Sequence, residues 1–576
     1  MSNSTSLPIM KVLFPLLWLS AVVSAAAPTL VVHNNGTNGE FSTTISNDVI
    51  SMHVGRQYGT KLMYKGEDLV KNATGAYGSY GSYYDLNYTS VTITSRTSRM
   101  LDVAYTSKEG DIHFVLFTGL SGFYSYFVNT ALGVQGEFRT LYRLTPELFP
   151  NGRTYLKDAP LPLFETILTS PSVQDETWQA PDGTYITKYD NSFFVRQSDF
   201  YGVYGPTVGA WMINPGKDYL NGDQLKQELS VHRESRTNDA VLLNMLHGTH
   251  FQGAFSDVIP VGKVFGPWLV YINDGSVADA AKVAREEEKK WPYSWLKDEK
   301  YLSRGTVEGR LVLADGTPAA GAAIFLGDEG RTIAQGTTFQ YTTNASASGY
   351  FSIPNVRTEK QYTLQAWGNG GKLAGVTTVF SKSNITLSAG KRRNLGTLKW
   401  TPQPRKSLWR IGAFDRKATG FKLGGLPYTH GLVDGCPGNL TFTIGVSSEQ
   451  EDWCFGKSAA GTWSVLFSAN TVAANASSVL TVSLAGYSGS GTRIGGVGSS
   501  LEISVNGVNV GDNATPLGGN DPGLYRSATS AGEWRYFEWA LPAGALKQGD
   551  NVVDFTIVTA TRWRGVMWDA VMLEQS

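Results

Sequence analysis

The chain has 576 residues, with 49 Lys+Arg against 49 Asp+Glu, 41% hydrophobic and 12% aromatic residues. That length exceeds what one hydrophobic core serves and predicts about three to five domains. The composition excludes a disordered chain, and the zero charge balance lacks the basic excess of a nucleic-acid-binding domain; a polyanionic ligand would have to meet a local cationic groove.

The first element reads as an export signal spanning residues 1–26. Lys11 precedes the apolar run "VLFPLLWLSAVV", and "SAAAP" supplies small residues for cleavage after Ala25 or Ala26. Met10 offers an alternative start. The run is too short to span a bilayer, so a secreted, extracellular protein with no membrane attachment after signal removal is expected. Sequons at Asn35, Asn72, Asn87, Asn344, Asn384, Asn439, Asn475 and Asn513 agree with a secreted glycoprotein.

From residue 27 to 300, short alternating runs such as "SVTITSR", "DIHFVLF" and "YSYFVNTAL" are separated by Gly, Asn, Asp and Ser. Period-2 patterning with frequent turns predicts antiparallel β-sandwich structure. The one helical stretch is 276–298, which begins at a Ser cap and is ended or kinked by Pro292. It is expected to close the first domain. A second pattern, 301–402, reads as a small seven-strand sandwich of fibronectin-III or carboxypeptidase-regulatory type. The remainder, 403–576, is rich in Trp, Gly and alternating strands and reads as a jelly roll of carbohydrate-binding type. Its Cys436 and Cys454, the chain's only cysteines, are expected to pair in an oxidising compartment. The loop they close is worth about 3 kcal/mol.

Chemistry centres on three stretches. "GEFRTLYRL" places Arg139 and Arg143 four apart, on one face of a strand and about 13 Å from each other at roughly 3.3 Å per residue. "ITKYDNSFF" carries Lys188. "NMLHGTHF" carries His247 and His250, two of only seven histidines. On a strand their odd spacing puts them on opposite faces, and Gly248-Thr249 opposes a helix. Their spacing also misses the zinc pattern H-E-x-x-H, so no metal site is expected. Each residue alone has an ordinary structural reading: solvated arginines, an exposed lysine, a satisfied core histidine. Together they suit β-elimination on a uronic acid. Cations would neutralise the carboxylate, an amine among guanidiniums would be neutral enough to take the C5 proton, and an imidazole would protonate the leaving oxygen.

The order "GEFRTLYRL", "ITKYDNSFF", "LLNMLHGTHFQ", "FGPWLVYIN", followed by two smaller β domains, resembles the rhamnogalacturonan lyases of polysaccharide lyase family 4, over essentially the whole mature chain. The resemblance implies an all-β plan: a large galactose-mutarotase-like sandwich, a fibronectin-III-like domain and a jelly roll. It implies cleavage of Rha-(1→4)-GalA bonds of rhamnogalacturonan I, leaving a 4,5-unsaturated galacturonate. It assigns Lys188 as C5 base and His250 as leaving-group acid, with the reverse open, and Arg139 and Arg143 as substrate-binding residues. Leu243 and Met245 stand where fungal members carry aromatic substrate contacts. His247 receives no role and is expected to be structural. No catalytic cofactor is implied, a structural calcium in the jelly roll is left open, and a monomer is expected. Two rival readings are a glycoside hydrolase using carboxylates such as Asp190, Asp199 or Asp257, and a non-catalytic polysaccharide binder.

Overall fold

The structure is a computed structural model. It describes Met1, 26–36, 40–81, 84–251, 257–328, 336–403, 405–470, 477–488, 499–511 and 521–575. The expected signal and the sequons at Asn475 and Asn513 lie outside the described residues. The other six sequon asparagines are exposed.

The first unit is built on two large antiparallel sheets. One has ten strands and runs in space from Thr29–Asn35 through Phe41–Ser46, Ile50–Gly55, Gly59–Tyr64, Gly75–Tyr80, Phe138–Leu144 and Ala240–His247 to Val231–Arg233. The other has nine, with Val264–Asn273 and Gly122–Asn129 near its centre. Their inner faces share a core that includes Phe41, Tyr105, Phe114, Phe123, Tyr142 and Trp268. Alternation decides which side chains enter it. Phe138, Tyr142 and Leu144 point inward, so Arg139, Leu141 and Arg143 point to the opposite face. Pairing fixes this register on both sides: Arg139 faces Met245 and Ser79, and Arg143 faces Val241 and Gly75.

The predicted helix forms at Val277–Lys290, with the Ser276 hydroxyl accepting from the Asp279 amide at 3.2 Å. It lies on the outer face of the nine-stranded sheet through Ala280 and Ala284, beside Trp211 and Leu269. Its buried Glu287 accepts hydrogen bonds from Tyr124 at 2.8 Å and Tyr293 at 2.7 Å.

Next come a three-stranded and a four-stranded sheet over residues 304–400, in which Arg304–Leu313 and Arg392–Trp400 run parallel. A buried Asp218 of the first unit ties this unit down, accepting from Arg304 at 2.9 Å and Arg357 at 3.1 Å. Beyond residue 406 two five-stranded sheets enclose Trp453, Trp463 and Trp568. Cys436 and Cys454 form a disulfide there. The architecture is all-β, as its periodicity predicts. This last unit also folds back on the first. Tyr189, Leu229 and Phe251 share one buried cluster with Tyr428, Val433 and Trp563.

Candidate active site

The outward face of the Phe138–Leu144 strand supplies two guanidiniums. Arg143 is fixed by neighbours: its Nε donates to the Tyr77 hydroxyl at 3.0 Å, and its Nη atoms lie 3.1 Å from Glu234 and 3.7 Å from Asp239. Arg139 is held less tightly, 3.2 Å from Glu137, and donates to His250 Nε2 at 3.4 Å. Between them Leu141, Val241, Leu243 and Met245 form a small buried cluster with Tyr77 against it. Leu243 and Met245 therefore form the apolar floor of this face rather than standing out as sugar contacts.

Lys188 opens a short 3-10 turn, Lys188–Asn191, capped by the Thr187 hydroxyl. Its Nζ lies 3.4 Å from Glu176 and 3.8 Å from Glu234, the carboxylate that also pairs with Arg143. The sequence reading placed this amine among bare guanidiniums; the structure interposes carboxylates, so its charge is balanced at rest. Burial alone would raise Glu234, but a hydrogen bond from His232 and the charges of Lys188 and Arg143 hold its carboxyl well below the usual range.

The two histidines separate as expected, for a different local reason. His247 ends the Ala240–His247 strand, is fully buried, and pairs with Asp257 at 3.0 Å. Gly248 then takes φ +83, and an added Cβ there would lie 2.0 Å from the Gly136 carbonyl. Glycine is therefore required for the turn that carries the chain off the sheet. His250 stands beyond it, on no strand at all. Glu228 receives both its backbone N–H, at 3.1 Å, and its Nδ1–H. The ring is thus fixed with Nε2 turned toward Arg139 and, at 3.8 Å, Glu137.

Lys188 and Arg143 share Glu234 at one end of this face, and Arg139, His250 and Glu228 are linked at the other, with the apolar cluster around Leu141 between them. The four residues singled out in the sequence are thus brought to one face. Glu137, Glu176, Glu228 and Glu234 were missed, because isolated carboxylates carry no spacing signal; only Glu137, two before Arg139, was close enough to notice. The rival hydrolase carboxylates do not converge. Asp257 is buried against His247, Asp199 lies 3.4 Å from Arg153, and the Asp190 carboxyl is enclosed, with burial pushing it up to about 7. Beside Glu176 opens a surface groove of about 710 Å³, lined by Asp175, Trp178, Ser235 and Arg236 among others.

The site thus joins two guanidiniums, an amine and a carboxylate-held imidazole on an all-β sandwich with smaller β units attached. Comparison with known proteins identifies the class. Residues 314–395 match the family model described as "Polysaccharide lyase family 4, domain II", and residues 407–573 match "Polysaccharide lyase family 4, domain III". The chain is 31% identical over 566 residues to "Rhamnogalacturonate lyase" of Dickeya dadantii, covering 93% of each. It is 26% identical over 326 residues to "Probable rhamnogalacturonate lyase B" of Aspergillus fumigatus, covering 50% of this chain and 46% of that one. The chain belongs to polysaccharide lyase family 4.

Proposed function

We propose that this lyase is a secreted, glycosylated monomer that cleaves Rha-(1→4)-GalA bonds of rhamnogalacturonan I by β-elimination. The observation that carries the reading is the outward face of the Phe138–Leu144 strand. It presents two guanidiniums, with Lys188 near one and His250 beside the other. A galacturonate carboxylate bound to this face loses the charge that would oppose carbanion formation at C5. The C5–H bond then breaks, the C4=C5 bond forms, and the C4–O bond to the departing chain breaks. One of Lys188 and His250 takes the C5 proton and the other gives a proton to the leaving oxygen. Atoms balance without water, and the new chain end is a 4,5-unsaturated galacturonate.

The first assignment makes Lys188 the base and His250 the acid. The resting geometry supports the reverse as a second reading. Lys188 Nζ lies 3.4 Å from Glu176 and 3.8 Å from Glu234, two carboxylates beside which a proton donor would be held in place. His250 has its Nδ1–H held by Glu228 and its Nε2 lone pair accepting from Arg139. A substrate whose leaving group needs no protonation separates the two: loss of the acid is then tolerated, and loss of the base is not.

The test of the whole reading is incubation with rhamnogalacturonan I beside polygalacturonan, following the ultraviolet absorbance of new double bonds. Product from the first polymer alone is expected. Reducing ends without unsaturation would make the enzyme a hydrolase, and neither signal would make it a binder.

A further inference from the structure

The third unit sends one charged side chain into the machinery of the first. Arg526 ends a short 3-10 turn, Leu524–Arg526. Its Nη1 donates to the carbonyl oxygen of His250 at 2.5 Å, and its Nη2 donates to Asp175 Oδ2 at 2.8 Å. The guanidinium carbon sits 4.7 Å over the ring of Tyr189, whose hydroxyl donates to the same Asp175 oxygen at 3.0 Å. Each partner is one residue from the chemistry or on it. Tyr189 follows Lys188, Asp175 precedes the Glu176 that pairs with Lys188, and the carbonyl belongs to His250 itself. One fork of donors thus ties the His250 loop to the Asp175 and Tyr189 segments, which already meet through the Tyr189–Asp175 hydrogen bond.

A contact made only to glue two domains together would be met more simply by apolar side chains. A guanidinium at 12% exposure incurs a desolvation cost unless its hydrogen bonds are met. Apolar glue is already present here: Phe251 lies 5.5 Å from Tyr428 and 5.8 Å from Tyr189, ring centre to ring centre. The arginine adds direction to this adhesion. Glu228 fixes the His250 amide and ring from within the first unit, and Arg526 fixes its carbonyl from the third. Asp175 is well suited to hold the other end: burial would raise its carboxyl, but the charge of Arg526 overrides this and keeps it ionised.

We propose that Arg526 is a positioning residue for the elimination, clasping the Lys188 turn and the His250 loop in their working relation. The third unit is thereby part of the active site without touching substrate. The proposal rests on the reading of Lys188 and His250 as the acid–base pair.

The test uses the full chain with Arg526→Ala and Arg526→Lys. For Arg526→Ala, kcat on rhamnogalacturonan I is expected to fall about 10- to 100-fold with KM within about two-fold. Arg526→Lys, which cannot bridge two acceptors in a plane, should fall between that variant and wild type. Added guanidinium ion should restore part of the activity of Arg526→Ala and none of Lys188→Ala. Amide exchange should rise at 188–191 and 249–251 while the Trp453, Trp463 and Trp568 core of the third unit stays protected. Wild-type kcat in Arg526→Ala overturns the clasp and leaves the elimination reading standing. So does a loss confined to melting temperature, with exchange rising throughout the third unit and no rescue. Absence of unsaturated product from the wild-type enzyme refutes the elimination reading, and the catalytic role of the clasp with it.

Discussion

Arg139 and Arg143 stand on a strand with registered partners on both sides, whereas Lys188 and His250 stand on a 3-10 turn and on a loop past a left-handed glycine. For the strand pair, position follows from the pleat: two residues four apart share a face wherever the sheet forms. For the other pair, local turns place the backbone, but the side chains take their partners from distant segments. His250 depends on Glu228, 22 residues away, and on Arg526, 276 residues away. The proposed binding charges are thus placed by secondary structure. The proposed acid and base are placed by tertiary contacts, one of them from a different unit of the chain.

The most severe break in the comparison comes from the proton-transfer pair. Lys188→Ala and His250→Ala are each expected to lower kcat by about 10²- to 10⁴-fold or more on deacetylated rhamnogalacturonan, since each removes an acid or base from the transition state. Folding should be intact by circular dichroism, because neither side chain belongs to a core. Near-normal turnover in either variant would remove that residue from the chemistry.

The arginines should respond differently from each other. Arg139→Ala is expected to cost about 2–5 kcal/mol in kcat/KM, with little change in melting temperature, since its partner Glu137 is part-exposed. Arg143→Ala should lose activity and stability together, because it takes the paired cation from Asp239, at 3% exposure, and leaves Glu234, at 9%, with the more distant Lys188. Equal melting temperatures for the two variants would show that Arg143 is no more built into the sheet than Arg139.

Glu228→Gln sharpens the comparison from the loop side. The amide keeps an acceptor for the His250 ring but removes the negative charge that stabilises an imidazolium. A fall in kcat of about 10- to 100-fold is expected, with a displaced pH–rate profile and a nearly constant KM. A parallel loss in KM with an unmoved profile would mark Glu228 as a packing residue only.

How much of this was legible in the sequence follows the same division. Period-2 alternation exposed the strands, and with them the shared face of Arg139 and Arg143, because the pleat writes itself into neighbouring letters. The helix was legible from its Ser276 cap, but the helical reading ran to 298 with Pro292 ending or kinking it, whereas the helix ends at Lys290. Lys188 and His250 could be singled out only by resemblance to a family, since a lysine in a turn and a histidine after a glycine look ordinary. The carboxylates around Lys188 were not legible: Glu176 and Glu234 come together through folding, with no common spacing between them. Arg526 was the least visible, because the contact that matters joins it to a backbone carbonyl, which any residue at 250 would supply.

His247 gives the smallest effect on turnover and the cleanest control for His250. His247→Gln should leave elimination within about three-fold of wild type, because the ring faces Asp257 on the buried side of the strand end. Its signature is in stability. Burial pushes the ring down to about 4, against the pull of Asp257, while the unfolded chain keeps the ordinary value of 6.5. Between those two values the unfolded state binds the extra proton. The stabilisation from a neutral buried ring is therefore complete above pH 6.5 and is lost as pH falls through 6.5 toward 4. The glutamine variant has no such titration, so its stability relative to wild type should improve over that window by up to about 3 kcal/mol. Urea unfolding of both proteins at several pH values measures the difference directly and cancels the other buried groups. A gap that stays constant from neutral to acid pH would mean that the ring takes up its proton as readily in the fold as in the unfolded chain, so that burial does not hold it neutral.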